Sequence, residues 1–206
     1  MDDGGQFDQQ SGDRWTLHSL RTRFRTLGEK RNATAALASP DTTIYAVWDS
    51  DDAFLPHHLS SIVSAILTVG EFAHVYTIPS MVYTMTNIIR LQPNTNLYHS
   101  SWGFTRSLFD HVHGYPFFDS GQDQYLRLRF ESTPTAVLID PLTLDPRPFY
   151  VYRWHDRADS FHVSDCGGES AGLYQAFASR PKPWHGRVAP KFERDWLSLI
   201  AMVQHG

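Results

Sequence analysis

The chain has 206 residues, 41% of them hydrophobic, which is enough for one sizeable core and short for two large domains, so a single domain over residues 1–206 is expected. Its formal net charge of -4, with the signs interspersed, provides no basic face of the kind that neutralises nucleic-acid phosphates, and no apolar run approaches the ~20 residues of a transmembrane helix. The lone cysteine, Cys166, excludes an intrachain disulfide and the acidic opening MDDGGQFDQQ is unlike a signal peptide, so the expected location is cytoplasmic.

Residues 1–14, rich in Gly, Asp and Gln, read as loop, and RWTLHSL as a short strand. RTRFRTLGEKR, residues 21–31, is the densest positive run and reads as a solvated loop and helix face. TLGEKRNATAALASP suits a short helix that must end before Pro40. TTIYAVWD is β-branched, aromatic and almost continuously apolar, the pattern of a strand covered on both faces. In HHLSSIVSAILTVG, residues Leu59, Ile62, Val63, Ile66 and Leu67 share one helical face, with Gly70 as the stop.

HVYTIPSMVYTMTN suggests two short strands around Pro79 and Ser80, and LYHSSWGFTRSLFDHVHGYP a strand, a turn and a short helix ending at Gly114. SGQDQYLRLRFES reads as a helix with Tyr125, Leu126 and Leu128 available to the core; TAVLID and FYVYRW read as strands, and ESAGLYQAFASR and FERDWLSLIAMVQ as helices. The alternation predicts an α/β sandwich whose sheet is parallel first and gains antiparallel strands later.

The chemistry gathers in WDSDDAFLP. Side chains two apart on a strand face the same way, so Asp49 and Asp51 converge across Ser50 at a strand's carboxyl end, where open α/β sheets bind ligands. Paired carboxylates repel unless a divalent cation or hydrogen-bond donors offset them, and hard oxygens suit Mg²⁺ or Mn²⁺. The same residues also serve as turn formers and helix caps, the use expected of Asp52 ahead of a helix starting near Pro56. Trp102 fits either sugar stacking or core packing. The pairs His57/His58 and His111/His113 read as structural, since adjacent helical side chains diverge and a helix C-terminus favours polar or cationic groups.

LGEKRNATAALASPDTTIYAVWDSDDAFLPHHL carries Gly28, Arg31 and Asn32, then Asp49, Asp51 and Asp52, then Leu55, Pro56 and Leu59. In that order it resembles the centre of family 2 glycosyltransferases of the GT-A fold, where Gly-x-x-Arg-Asn opens a short helix and Asp-x-Asp-Asp ends the next strand. HSSWGFTRSLFDHVHGYPFFDSGQDQYLRLRF resembles the family's acceptor-side segment, with Gln122 and Asp123 where Glu-Asp opens a helix. The match covers most of residues 1–165, leaving 166–206 as a C-terminal helical extension.

The resemblance implies an α/β/α sandwich with a mixed sheet. It also implies metal-dependent, inverting transfer from a nucleotide-diphosphate sugar, UDP- or GDP-linked, to a carbohydrate or other hydroxyl acceptor. It assigns Asp49, Asp51 and His162 to Mn²⁺ or Mg²⁺, and Asp2, Asp3, Lys30, Arg31 and Asp49 to the nucleotide. Asp123 becomes the general base. Because MDDGG matches the end of the family's second strand, the chain is expected to be N-terminally truncated, lacking a first β-α-β unit of roughly 30 residues. A remnant without activity, or a sugar- or nucleotide-binding module, is the alternative that this truncation raises. A nucleotidyltransferase would need a Gly-rich loop followed by lysine, which DDGGQFDQQSG does not supply.

Overall fold

The computed structural model describes residues 1–5, 7–21, 23–49, 52–85, 89–93 and 98–153. Asp51, His162 and the two helices expected after residue 165 lie outside the described residues. The described residues fall into two compact units, one holding Met1–Ala38 with Tyr115–Gln122 and the other Ser39–Gly114 with residues 123–153.

In the first unit, β1 (Gln10–Gly12) and β2 (Trp15–Leu17) form an antiparallel hairpin with Gly12 opposite Trp15. The polar composition that reads as loop is compatible with β1 because the hairpin is largely exposed. Helix α1 (Leu27–Ala36) begins at Thr26, whose hydroxyl accepts from the Glu29 N–H at 3.1 Å and so satisfies one of the free first-turn donors. It stops ahead of Pro40, as expected.

The only buried residue of α1 is Gly28. Its N–H donates to the Phe118 carbonyl at 3.1 Å, and a Cβ built there would fall 1.8 Å from the Pro116 carbonyl oxygen. Glycine is therefore required by close approach of another backbone, a reason independent of helix propensity.

The second unit contains β3 (Ile44–Ala46), β4 (Ala53–Phe54), α2 (His58–Leu67), β5 (Val75–Thr77), β6 (Met81–Met85) and β7 (Ile89–Pro93). A 3₁₀ turn at His99–Ser101 leads into β8 (Gly103–Thr105) and α3 (Arg106–His111). Then come α4 (Gln122–Glu131), β9 (Val137–Ile139) and β10 (Tyr150–Arg153).

Among the described residues these strands form two four-stranded sheets, with orders β3-β8-β5-β9 and β4-β10-β6-β7, and each mixes parallel and antiparallel pairs. The fold is thus mixed α/β. The expectation of a sheet that is parallel first is corrected: β3, β5 and β9 do run in one direction, but β8 lies antiparallel between β3 and β5. As the end strand of that order, β3 is half-buried and not covered on both faces.

Helix α2 is also turned relative to its predicted face. His58, Ser61, Ile62, Ala65 and Ile66 are buried, whereas Leu59 is 47% and Leu67 50% exposed. The apolar residues of this helix spread around much of its circumference, so their period alone leaves the rotation open, and packing on the sheet decides it. Gly103 in β8 supplies the space, because a Cβ there would lie 2.1 Å from Ile62 Cγ2. Each fully buried aliphatic side chain in this layer contributes about 1.5–3 kcal/mol. In α4, Leu126 and Phe130 face inward while Tyr125 and Leu128 are exposed, correcting two of its three expected core positions.

Candidate functional site

Past β3 the chain keeps one more pairing bond, from Val47 N–H to the Trp102 carbonyl at 3.0 Å. Asp49 follows, and its Oδ2 accepts from the Ser100 hydroxyl at 2.6 Å. Ser100 lies in the 3₁₀ turn ahead of β8 and is buried. The antiparallel β3–β8 register explains the meeting, since the residues after one strand face those before the other.

Asp52 is held in a comparable way, its Oδ2 accepting from the Tyr150 hydroxyl. Tyr150 lies opposite Phe54 in the β4–β10 pair, which brings its phenol to the residue just before β4. The phenol is almost fully buried, and burial, followed by the nearby Asp52 carboxylate, pushes its pKa well above the usual tyrosine value. The Ser100 side chain also lies close enough to the Tyr150 phenol to influence its ionisation, so Asp49, Ser100, Tyr150 and Asp52 form one polar cluster. Asp52 is consequently not the cap of α2. That position is His57, with no side-chain capping bond, because β4 intervenes between Asp52 and the helix.

Trp48, Phe54 and His58 form an aromatic cluster. The Trp48 ring lies 4.4 Å from that of Phe54 while remaining 56% exposed, and His58 packs edge-on to both. His58 is 1% exposed, and desolvation lowers its pKa to about 4. The Val47 and Phe149 backbone lies near the imidazole, but neither ring nitrogen makes an aligned hydrogen bond with the described residues. Of the two readings open for Trp102, core packing is the one its 1% exposure supports, and an exposed indole next to Asp49 is that of Trp48.

Asp123 occupies the first turn of α4, half-buried, with the Gln124 amide 3.5 Å from its Oδ2. In the first unit, Asp2 closes its own loop: Oδ1 accepts from Gly4 N–H at 2.9 Å, and Oδ2 from Phe7 N–H and the Ser19 hydroxyl, both at 3.0 Å. Asp3 forms an ion pair with Lys30 at 2.8 Å, and the Arg31 guanidinium sits 5.6 Å from the centre of the Tyr115 ring. Asn32, the last residue of the Gly-x-x-Arg-Asn segment, bonds twice to the Tyr115 backbone.

The histidine pairs have the structural placements expected. His111 ends α3 with its ring 4.8 Å from that of His74 and tilted by 40°, and His113 takes a left-handed φ of 61° in the turn beyond. Ser100 and Tyr150 are the site residues that sequence reasoning missed; FYVYRW signals a strand but nothing in it singles out one hydroxyl. Among the described residues, no group of three or more His, Cys, Asp or Glu side chains is placed to hold a metal ion, and no helix is long and apolar enough to cross a membrane. No family model, no curated protein and no solved structure matches the chain.

Proposed function

We propose that the chain is a family 2 type glycosyltransferase of GT-A-like fold that moves a sugar from a UDP- or GDP-linked donor to an acceptor hydroxyl with inversion. The observation that supports this reading best is the pair of hydroxyl–carboxylate bonds after β3, Ser100 to Asp49 and Tyr150 to Asp52, which orients two carboxylates beyond the carboxyl end of a strand. Hard carboxylate oxygens suit Mn²⁺ or Mg²⁺, and an ionised carboxylate offers about four lone-pair sites.

Asp49 and Asp51, with His162, would hold the cation, which when bound offsets the charge of the departing nucleoside diphosphate. Asp123 accepts the proton of the acceptor hydroxyl as that oxygen bonds to the anomeric carbon and the bond from this carbon to the diphosphate breaks. Lys30 and Arg31 serve the nucleotide side, with Asp3 orienting Lys30 and Asp2 shaping the loop. Trp48 offers a ring face for stacking.

Thermal shift with UDP- and GDP-sugars, with and without Mn²⁺, tests the proposal. The expected result is a nucleotide-dependent rise in Tm that needs Mn²⁺ and is lost in Asp49→Asn. Asp123→Asn should keep that rise but lose transfer by about 100-fold or more. Absence of any Mn²⁺-dependent nucleotide stabilisation would sink the proposal. Stabilisation without transfer to any acceptor would favour the binding module.

A further inference from the structure

The first part of the positive run, residues 21–25, has no role in the proposed transfer and shapes a cleft of its own. Leu20, Arg21, Arg23, Phe24, Arg25 and Glu29 line an open cavity of about 280 Å³, wholly within the first compact unit. Arg25 is already committed: its backbone N–H donates to Glu29 at 3.0 Å and its guanidinium at 3.4 Å, so the two charges cancel and the Arg25 side chain is held in place. Arg21 and Arg23 form no ion pair among the described residues. Among the described residues the cleft therefore carries two arginine charges that no ion pair offsets, beside an apolar wall made by Leu20, 38% exposed, and the half-buried Phe24.

We propose that this cleft binds the dianionic phosphate of an organic phosphomonoester, with Arg21 and Arg23 on the phosphate and Leu20 and Phe24 against its first carbons. Planar guanidinium forks fit phosphate oxygens in pairs, and two of them balance a dianion better than a single-charged carboxylate. The cavity falls below the ~300–1,000 Å³ of sites that enclose drug-sized ligands, so it accepts a phosphate head and a short apolar stem and leaves the rest of the molecule outside. Two charges on a chain of net charge -4 are too few for a nucleic-acid track. The phosphate can come from a soluble phosphomonoester or from a lipid headgroup. This site is independent of the sugar-transfer reading, and its test uses neither sugar nucleotide nor metal.

Calorimetric titration of the full chain with hexyl phosphate should give saturable 1:1 binding, at least about tenfold tighter than inorganic phosphate, the gain expected from burying about two methylenes. Arg21→Gln/Arg23→Gln should weaken it at least tenfold. Arg14→Gln/Arg147→Gln removes the same charge at residues whose side chains are 91% and 69% exposed and should leave it unchanged. Glu29→Gln, which removes the charge opposing Arg25 but keeps a hydrogen-bonding group, should tighten binding several-fold. Far-UV circular dichroism checks that each variant is folded.

Co-sedimentation with phosphatidylcholine vesicles carrying phosphatidic acid separates the two sources. Arg21- and Arg23-dependent capture assigns the lipid headgroup, whereas hexyl phosphate binding without capture assigns a soluble ester. Equal weakening in the two double variants, or binding to neither probe, overturns the proposal.

Discussion

Asn32 and Tyr115 are joined twice: the Asn32 side-chain amide donates to the Tyr115 carbonyl at 2.8 Å and its Oδ1 accepts from the Tyr115 N–H, also at 2.8 Å. A side chain thus imitates a strand partner and fastens α1 to the segment that follows Gly114. Because Tyr115 is buried, its N–H and carbonyl have little access to replacement water. Asn32→Ala should lower unfolding free energy by about 2–3 kcal/mol, measured by urea titration.

Gly28→Ala would ordinarily gain up to ~1 kcal/mol in a helix. Here the new methyl would sit 1.8 Å from the Pro116 carbonyl oxygen and 2.9 Å from its carbon, so one of the two backbones must move. The expected outcome is a loss of more than about 2 kcal/mol, read from the urea midpoint, and an unchanged or raised midpoint would contradict the packing described.

Tyr150→Phe removes the donor that orients Asp52 and should cost about 1.5–3 kcal/mol near neutral pH, the range of a hydrogen bond to a charged group. Its pH dependence has a definite sign. The folded-state pKa is raised, so the contribution of Tyr150 is complete below the ordinary tyrosine value of 10.0 and is lost as pH rises from there towards the folded value. Tyr45 and Tyr76 are also raised by burial, so the Phe variant should show a shallower alkaline decline and not a flat one. Urea titrations between pH 8 and pH 11 give the two slopes.

His58 acts at the other end of the scale. Its pKa is depressed from 6.5 to about 4, so its contribution is present above 6.5 and lost as pH falls through that window, on the order of 3 kcal/mol in all. His58→Leu keeps an apolar side chain in the cluster of Phe54, Trp48 and Phe149 without a group that must charge. Stability measured from pH 7 to pH 4 should fall less steeply in the variant. Equal slopes would show that other groups set the acid limb.

The positions of α1, α2 and β3 were legible because caps, prolines and apolar runs act locally. Which way α2 turns was not, since Leu59 and Leu67 satisfy a helical period as well as His58 and Ser61 do, and only the glycine gap opposite Ile62 distinguishes them. The acidic cluster was likewise visible from strand period and chain position. Its partners were not: Ser100 is 51 residues from Asp49 and Tyr150 is 98 from Asp52, and strand register brings each pair together. Asn32 belonged to a recognisable segment, but its double bond to Tyr115 spans 83 residues and leaves no local trace.

That span affects how the protein is made. The first 38 residues emerge from the ribosome well before the segment beginning at Tyr115, which belongs to the same unit. At 5–20 residues per second, the 83 intervening additions impose a wait of roughly 4–17 s, during which α1 lacks its backbone partner and Gly28 lies uncovered. Vectorial synthesis therefore allows the second unit to begin collapsing while the first is still open, and the amino-terminal segment becomes protease-resistant only after the chain has grown past Phe118.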